Sequence, residues 1–293
     1  MDAPIGRISF RDFLQGFRGP HSKSGGICAL SFSSGSETEG EGKGSEEMSI
    51  TEFASRQSAL QSEMQKIAKE SGYDPDIILP VYDGVVNIEA YLTTSPRVMW
   101  VLKEPYDDFD TEGNPCGGGW TIISDHREST LAEMARHNTT MRNIAYASFS
   151  IQNGGIPYND IPQISNDNPE VSDSLLKVAY VNVNKMPSHS TTNAAALFQK
   201  YETWKGILFK QIDLYTPNTM IFCGTATLQC FTRDLNIELS KPERTIVNGR
   251  SAVEIHHWQN KQIVWAPHPA VRIAPEEWVN SIVSAVCNKS YGC

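Results

Sequence analysis

Val98-Met99-Trp100-Val101-Leu102-Lys103-Glu104-Pro105-Tyr106 is the stretch on which the fold turns. Its apolar run from Val98 to Leu102, rich in β-branched and aromatic types, reads as a fully buried strand. The run stops at Lys103-Glu104-Pro105. Pro105 has no backbone N–H to give, and it biases Glu104 toward extended geometry. A carboxylate is therefore expected at the C-terminal end of a central strand, the edge at which open α/β sheets bind ligands.

Other elements follow on both sides of this strand. Upstream, Ile50 to Glu70 forms a helix with Leu60, Met64, Ile67 and Ala68 on one face, Ser49 and Glu52 set as a capping box, and Gly72 as a stop. Downstream lies a loop from Asp107 to Trp120 ending in Cys116-Gly117-Gly118-Gly119-Trp120, then a helix over about 128–147 and an ordered loop over 150–170. Val178 to Val183 reads as a second strand, followed by a helix from Asn193 to Tyr215 that Pro217 ends. Thr219 to Cys223 is a third strand closed by Gly224, with a helix beginning near Thr225. Asn248-Gly249, inside Val247 to His256, signals a hairpin. Gln262 to Ala266 is a fourth buried strand, and Pro275 opens the last helix. Strands alternating with helices predict an α/β three-layer sandwich, a central, mostly parallel four-stranded sheet with helices on both faces.

Residues 31–47 are almost wholly Ser, Gly, Glu, Thr and Lys, too poor in apolar surface to offset ordering entropy. Residues 1–47 are expected to be a disordered or non-native extension, with Met48 as the natural start and 48–293 as a single domain. No run of 18 apolar residues and no leader pattern is seen, so neither a membrane span nor a signal peptide is expected. The six cysteines include no C-x-x-C pair, which fits a chain of free thiols in the cytoplasm and no zinc or iron–sulfur signature. No metal or cofactor is expected. The net charge of −9 does not favour a nucleic-acid partner, though binding depends on a local basic patch rather than on the sum.

Glu104, Asn182 and His268 each follow a buried strand, and strand C-termini of a parallel sheet share one edge. Each is either a satisfied local cap or part of one convergent site. No G-x-x-x-x-G-K-[ST] loop and no G-x-S-x-G elbow occurs. Cys116 beside three glycines has no local histidine to activate it.

These segments carry a resemblance. Lys103-Glu104-Pro105-Tyr106 resembles the first motif of the uracil-DNA glycosylase superfamily. Asn182-Val183-Asn184-Lys185-Met186-Pro187, Ile221-Phe222-Cys223-Gly224-Thr225-Ala226 and His268-Pro269-Ala270 resemble its later motifs, in the same order, across about 98–275. The resemblance implies a glycosylase that flips a nucleotide out of DNA, hydrolyses its N-glycosidic bond through an oxocarbenium-like sugar and leaves an abasic site. It implies Glu104 as base and electrostatic stabiliser by the attacking water. It implies His268 as a hydrogen-bond donor to the departing base, a contact worth roughly 3 kcal/mol of barrier. Asn182 would read the base edge and Trp120 would stack on the base, with ordinary capping and core packing as their alternatives. Tyr106 keeps the position that guards against C5-substituted pyrimidines in that family. Lys185, Ser188 and Arg272 are expected to meet DNA phosphate or groove, or else to serve structure, a solvated loop and the surface.

The departures bear on the substrate. Lys103 stands where the family has Gln or Gly, Ala270 where it has Ser, and Gly117–Gly119 leave room or flexibility near the base. The expectation is a uracil-like or modified pyrimidine, with a bulky hypermodified phage base and anti-phage defence as one setting and repair as the other. The alternative is a catalytically inactive nucleic-acid- or nucleotide-binding relative. A monomer is expected.

Overall fold

The strand over Val98–Leu102 has all five side chains buried, and its neighbours on both sides are strands parallel to it. The computed structural model describes residues 48–107, 109–121, 130–188 and 193–289. In chain order these form α1 (Ile50–Glu70), β1 (Gly84–Val85), α2 (Ile88–Thr93), β2 (Val98–Leu102), α3 (Leu131–His137), α4 (Thr139–Gln152), α5 (Pro169–Asp173), β3 (Ala179–Asn182), α6 (Ala194–Tyr215), β4 (Thr219–Cys223), α7 (Thr225–Leu235), β5 (Arg244–Asn248), β6 (Ser251–Trp258), β7 (Lys261–Ala266) and α8 (Pro275–Cys287). The expected extension over 1–47 lies outside the described residues.

The sheet runs β1-β3-β2-β4-β7-β6-β5. The four expected strands are present as the parallel centre β3-β2-β4-β7. The expectation of a four-stranded sheet is corrected to a mixed sheet of seven strands. β1 joins β3 antiparallel at one edge, and the β5–β6 hairpin adds antiparallel strands beyond β7. The reasons differ at the two edges. β1 is two residues long, too short to leave a periodic pattern. The hairpin turn lies where Asn248-Gly249 signals it, with Asn248 opposite Ser251. However, β5 keeps only half-buried or exposed side chains, the mark of an edge strand, and so lacks an apolar signature.

Side chains alternate across β2 as the strand period requires. Val98, Trp100 and Leu102 enter one core, and Met99 and Val101 enter the other. Helices α1, α6 and α7 cover the Met99 side through Leu60, Met64, Tyr201, Trp204 and Phe231. Helices α3, α4, α5 and α8 cover the Trp100 side, where Trp100 stacks on Trp278 with centroids 6.0 Å apart. Burying such rings contributes roughly 1.5–3 kcal/mol each, and this holds the layers together.

Two expected segments differ. The helix expected over 128–147 is two helices, because Asn138 ends α3 and its side chain caps α4 by accepting from Met141 N at 3.2 Å. Residues 122–129 lie outside the described residues. The segment 150–170 is less irregular than expected, since α4 continues to Gln152 and α5 begins at Pro169.

Candidate functional site

The parallel strands β3, β2, β4 and β7 deliver their C-termini to one edge. A cleft of about 750 Å³ opens there, and Glu104, Tyr106, Trp120, Asn182 and His268 all line it. Its size is one that houses small-molecule ligands.

Glu104 follows β2 by two residues. The pairing of β2 with β3 continues past the strand ends, through Val183 N to Leu102 O at 2.9 Å and Asn184 N to Lys103 O at 2.9 Å. This brings Asn184 beside Glu104, and its Nδ2 donates to Glu104 Oε2 at 3.5 Å. Glu104 Oε1 is buried with no hydrogen-bond partner among the described residues. Burial raises the Glu104 pKa above the usual carboxylate range, while bonds from Asn184 and the Ser188 hydroxyl and the charge of Lys103 oppose the rise. A carboxylate held with unspent acceptor capacity is suited to receive a proton or to face a developing cation.

His268 lies two residues beyond β7, in a segment pinned on both sides. Trp278 Nε1 donates to Pro267 O at 3.0 Å, and the buried Asn143 Nδ2 donates to Pro269 O at 2.7 Å. The backbone N–H of Ala270 donates to His268 Nδ1 at 3.2 Å. With Nδ1 accepting, the neutral ring carries its proton on Nε2. Burial, helped by the charge of Lys103, pulls the His268 pKa down to about 4. At neutral pH it is therefore an uncharged donor, not an imidazolium.

Asn182 ends β3 opposite Leu102 and is 9% exposed. Its backbone N–H donates to Asp83 Oδ2. Asp83 is the residue that sequence reasoning missed. It lines the cleft and is nearly buried. The Asp83-Gly84 pair was legible as a turn signal, but its partner lies 102 residues away.

That partner is Lys185. Its Nζ donates at 2.9 Å to both Asp83 oxygens and at 2.8 Å to Gln211 Oε1, and the residue is fully buried. All three ammonium protons are engaged, so none remains for a phosphate. The expected DNA contact at Lys185 is therefore corrected to a buried ion pair that holds the cleft wall. Ser188 also turns inward. Its N–H donates to Pro105 O at 3.1 Å, and its hydroxyl is near enough to Glu104 to favour the charged carboxylate. Arg272 is exposed and does not line the cleft. Cys116 does not line the cleft either.

Trp120 belongs to neither core. Its Nε1 donates to Asp107 Oδ2 at 2.6 Å, and its carbonyl accepts from Tyr82 N at 3.0 Å. Tyr106 is 64% exposed at the mouth, its ring 5.6 Å from that of Phe109. The glycines before Trp120 make no room for a base. Gly117, Gly118 and Gly119 have φ of 84°, 78° and 73°, and a Cβ on Gly118 would lie 1.8 Å from Leu79 O. They let this loop lie against residues 77–80, with Leu79 N bonding Gly117 O at 2.8 Å.

Among the described residues, α1, α3 and the turn into α4 add to the wall. Gln57 exchanges bonds with Val85, donating at 2.9 Å and accepting at 3.0 Å, and Met134, Asn138 and Met141 also line the cleft. Among the described residues, Lys103 is the cation in the lining, against the carboxylates of Asp83, Glu104 and Asp107. No group of three or more His, Cys, Asp or Glu among the described residues is set to hold a metal ion. No helix of the described residues is long and apolar enough to cross a membrane. Neither a family profile nor a curated protein matches the chain.

Proposed function

We propose that the chain is a DNA glycosylase that hydrolyses the N-glycosidic bond of a flipped-out uracil-like or modified pyrimidine. The observation that carries this reading is the cleft shared by Glu104, Asn182 and His268, one group from each of three parallel strand ends, with Trp120 beside them. The residue chemistry fits the reaction. A half-buried carboxylate with an unpartnered oxygen suits a water nucleophile and a cationic sugar. A neutral imidazole with Nε2–H suits a base that departs with negative charge on its carbonyl. Asn182 offers a donor and an acceptor to a base edge, and Trp120 offers a ring face. The cleft excludes bulk water from part of this set, so each interaction is stronger than it is in solvent.

The reading carries with it DNA as the partner, action as a monomer and a cytoplasmic setting, in repair or in anti-phage defence. Oligonucleotides holding uracil, hypoxanthine, 5-hydroxymethylcytosine or its glucosylated form, single-stranded and duplex, test it. Alkali-labile abasic sites are the expected product with at least one of them. Glu104→Gln is expected to bind the same DNA while losing at least about a hundredfold in turnover. Binding without base release in both forms would instead establish the non-catalytic relative.

A further inference from the structure

Tyr180 lies on β3 two residues before Asn182, so their side chains leave the same face of the sheet. At about 3.3 Å per residue, Tyr180 sits some 7 Å further from the sheet edge than Asn182. It nonetheless lines the same cleft, which therefore continues inward past the residue proposed to read the base. Tyr180 is only 4% exposed, and its hydroxyl has no hydrogen-bond partner among the described residues. A hydroxyl buried in this way bears the full desolvation cost of an unmade bond. Burial holds the phenol protonated, so it is a donor at any physiological pH.

Part of the surroundings is apolar and adaptable, beside the polar Asn138 and Thr140. Leu102, Met134 and Met141 line the cleft on the same side of the sheet. Thioether side chains accommodate irregular shapes. A volume of about 750 Å³ is also more than a bare pyrimidine ring fills.

We infer that Tyr180 is a specificity-determining residue whose hydroxyl meets a hydroxyl- or carbonyl-bearing substituent on the bound base, so that the chain selects a substituted base over its unsubstituted parent. This rests on the glycosylase reading for its reaction and on the Tyr180 hydroxyl for its selectivity. A site built to hydrogen-bond a substrate group discriminates against the analogue that lacks the group, because a buried polar atom is then left unpaired.

The test compares the wild-type chain with Tyr180→Phe, which removes one oxygen and keeps the ring. Single-stranded oligonucleotides carry uracil, 5-hydroxymethyluracil, cytosine or 5-hydroxymethylcytosine, and both base release and binding by fluorescence anisotropy are measured. The wild type is expected to favour a substituted base over its parent, and Y180F is expected to shrink that ratio by about threefold to tenfold. Thermal unfolding of Y180F is expected to show an intact fold. Equal handling of substituted and parent bases by the wild type, or a ratio that Y180F leaves unchanged, overturns the inference while the glycosylase reading stands. Absence of base release from all four leaves the glycosylase reading to the hypoxanthine and glucosylated substrates named above, and the binding ratio then decides the Tyr180 contact by itself.

Discussion

The ammonium of Lys185 lies 2.9 Å from both carboxylate oxygens of Asp83, in a pair whose side chains are 0% and 3% exposed. Asp83 in turn accepts the backbone N–H of Asn182. One ion pair thus joins the edge strand, the end of β3 and, through Gln211, the long helix α6.

Removing one partner of such a pair leaves a buried charge uncompensated, which costs about 3–5 kcal/mol. Lys185→Met and Asp83→Asn are each expected to lose stability on that scale in urea denaturation. The double variant is expected to lose less than the sum, because neither charge is then stranded. A strictly additive double variant would contradict the pairing. The salt dependence of DNA binding is expected to be unchanged in any folded Lys185 variant, since this lysine neutralises no phosphate.

Glu104 predicts a trade of stability against activity. Burial raises its pKa in the folded state. The charged carboxylate therefore disfavours the fold above the unfolded pKa, near 4.3, and this penalty disappears as pH falls and the group protonates. Glu104→Gln is expected to raise Tm at pH 7 while turnover collapses, and the gain in Tm is expected to vanish toward pH 4. Calorimetry across that range checks both signs. A destabilised E104Q at neutral pH would contradict the placement of Oε1.

The pH profile of base release follows from the same two groups. His268, held at about 4, is neutral throughout the range in which histidines ordinarily titrate. The acid limb of kcat/KM is therefore expected to belong to Glu104, with a midpoint above the ordinary carboxylate range. An inflection near 6.5 that disappears in His268→Asn would refute this.

Lys103 acts on both groups. Its charge lowers the pKa of His268 and opposes the rise at Glu104. Lys103→Ala is expected to raise both values. An NMR titration reads the His268 shift directly, with His268→Asn identifying its resonance among the seven histidines. An unmoved His268 resonance would show that the lysine side chain turns away from the ring.

Gly118 is the most constrained of the three glycines before Trp120. Its φ is 78°, and an added Cβ would sit 1.8 Å from the Leu79 carbonyl. Gly118→Ala is expected to cost at least about 1–3 kcal/mol and to displace Trp120. Gly113→Ala, in an equally left-handed backbone with open space around it, isolates the conformational part of that cost. Equal losses in the two variants would argue against the contact with Leu79.

Local periodicity fixes some elements of this chain, and partners distant in sequence fix others. Val98–Leu102, Thr219–Cys223 and the helices Ile50–Glu70 and Ala194–Tyr215 stand where their periodicity puts them, because a buried strand or an amphipathic helix must present its apolar residues at a fixed local period. Parallel strands separated by helices must then share one C-terminal edge, which is why Glu104, Asn182 and His268 could be expected to line one cleft. What the chain could not announce locally was decided by partners distant in sequence. The two-residue β1 found its partner β3 far along the chain and widened the sheet at one edge. Lys185 became the buried counter-ion of Asp83 instead of a phosphate ligand, because a lysine takes its meaning from whether water or a carboxylate reaches its ammonium. Tyr180, which in sequence is one more apolar residue of a buried strand, gained an unpartnered hydroxyl at the inner end of the cleft only through the packing around it.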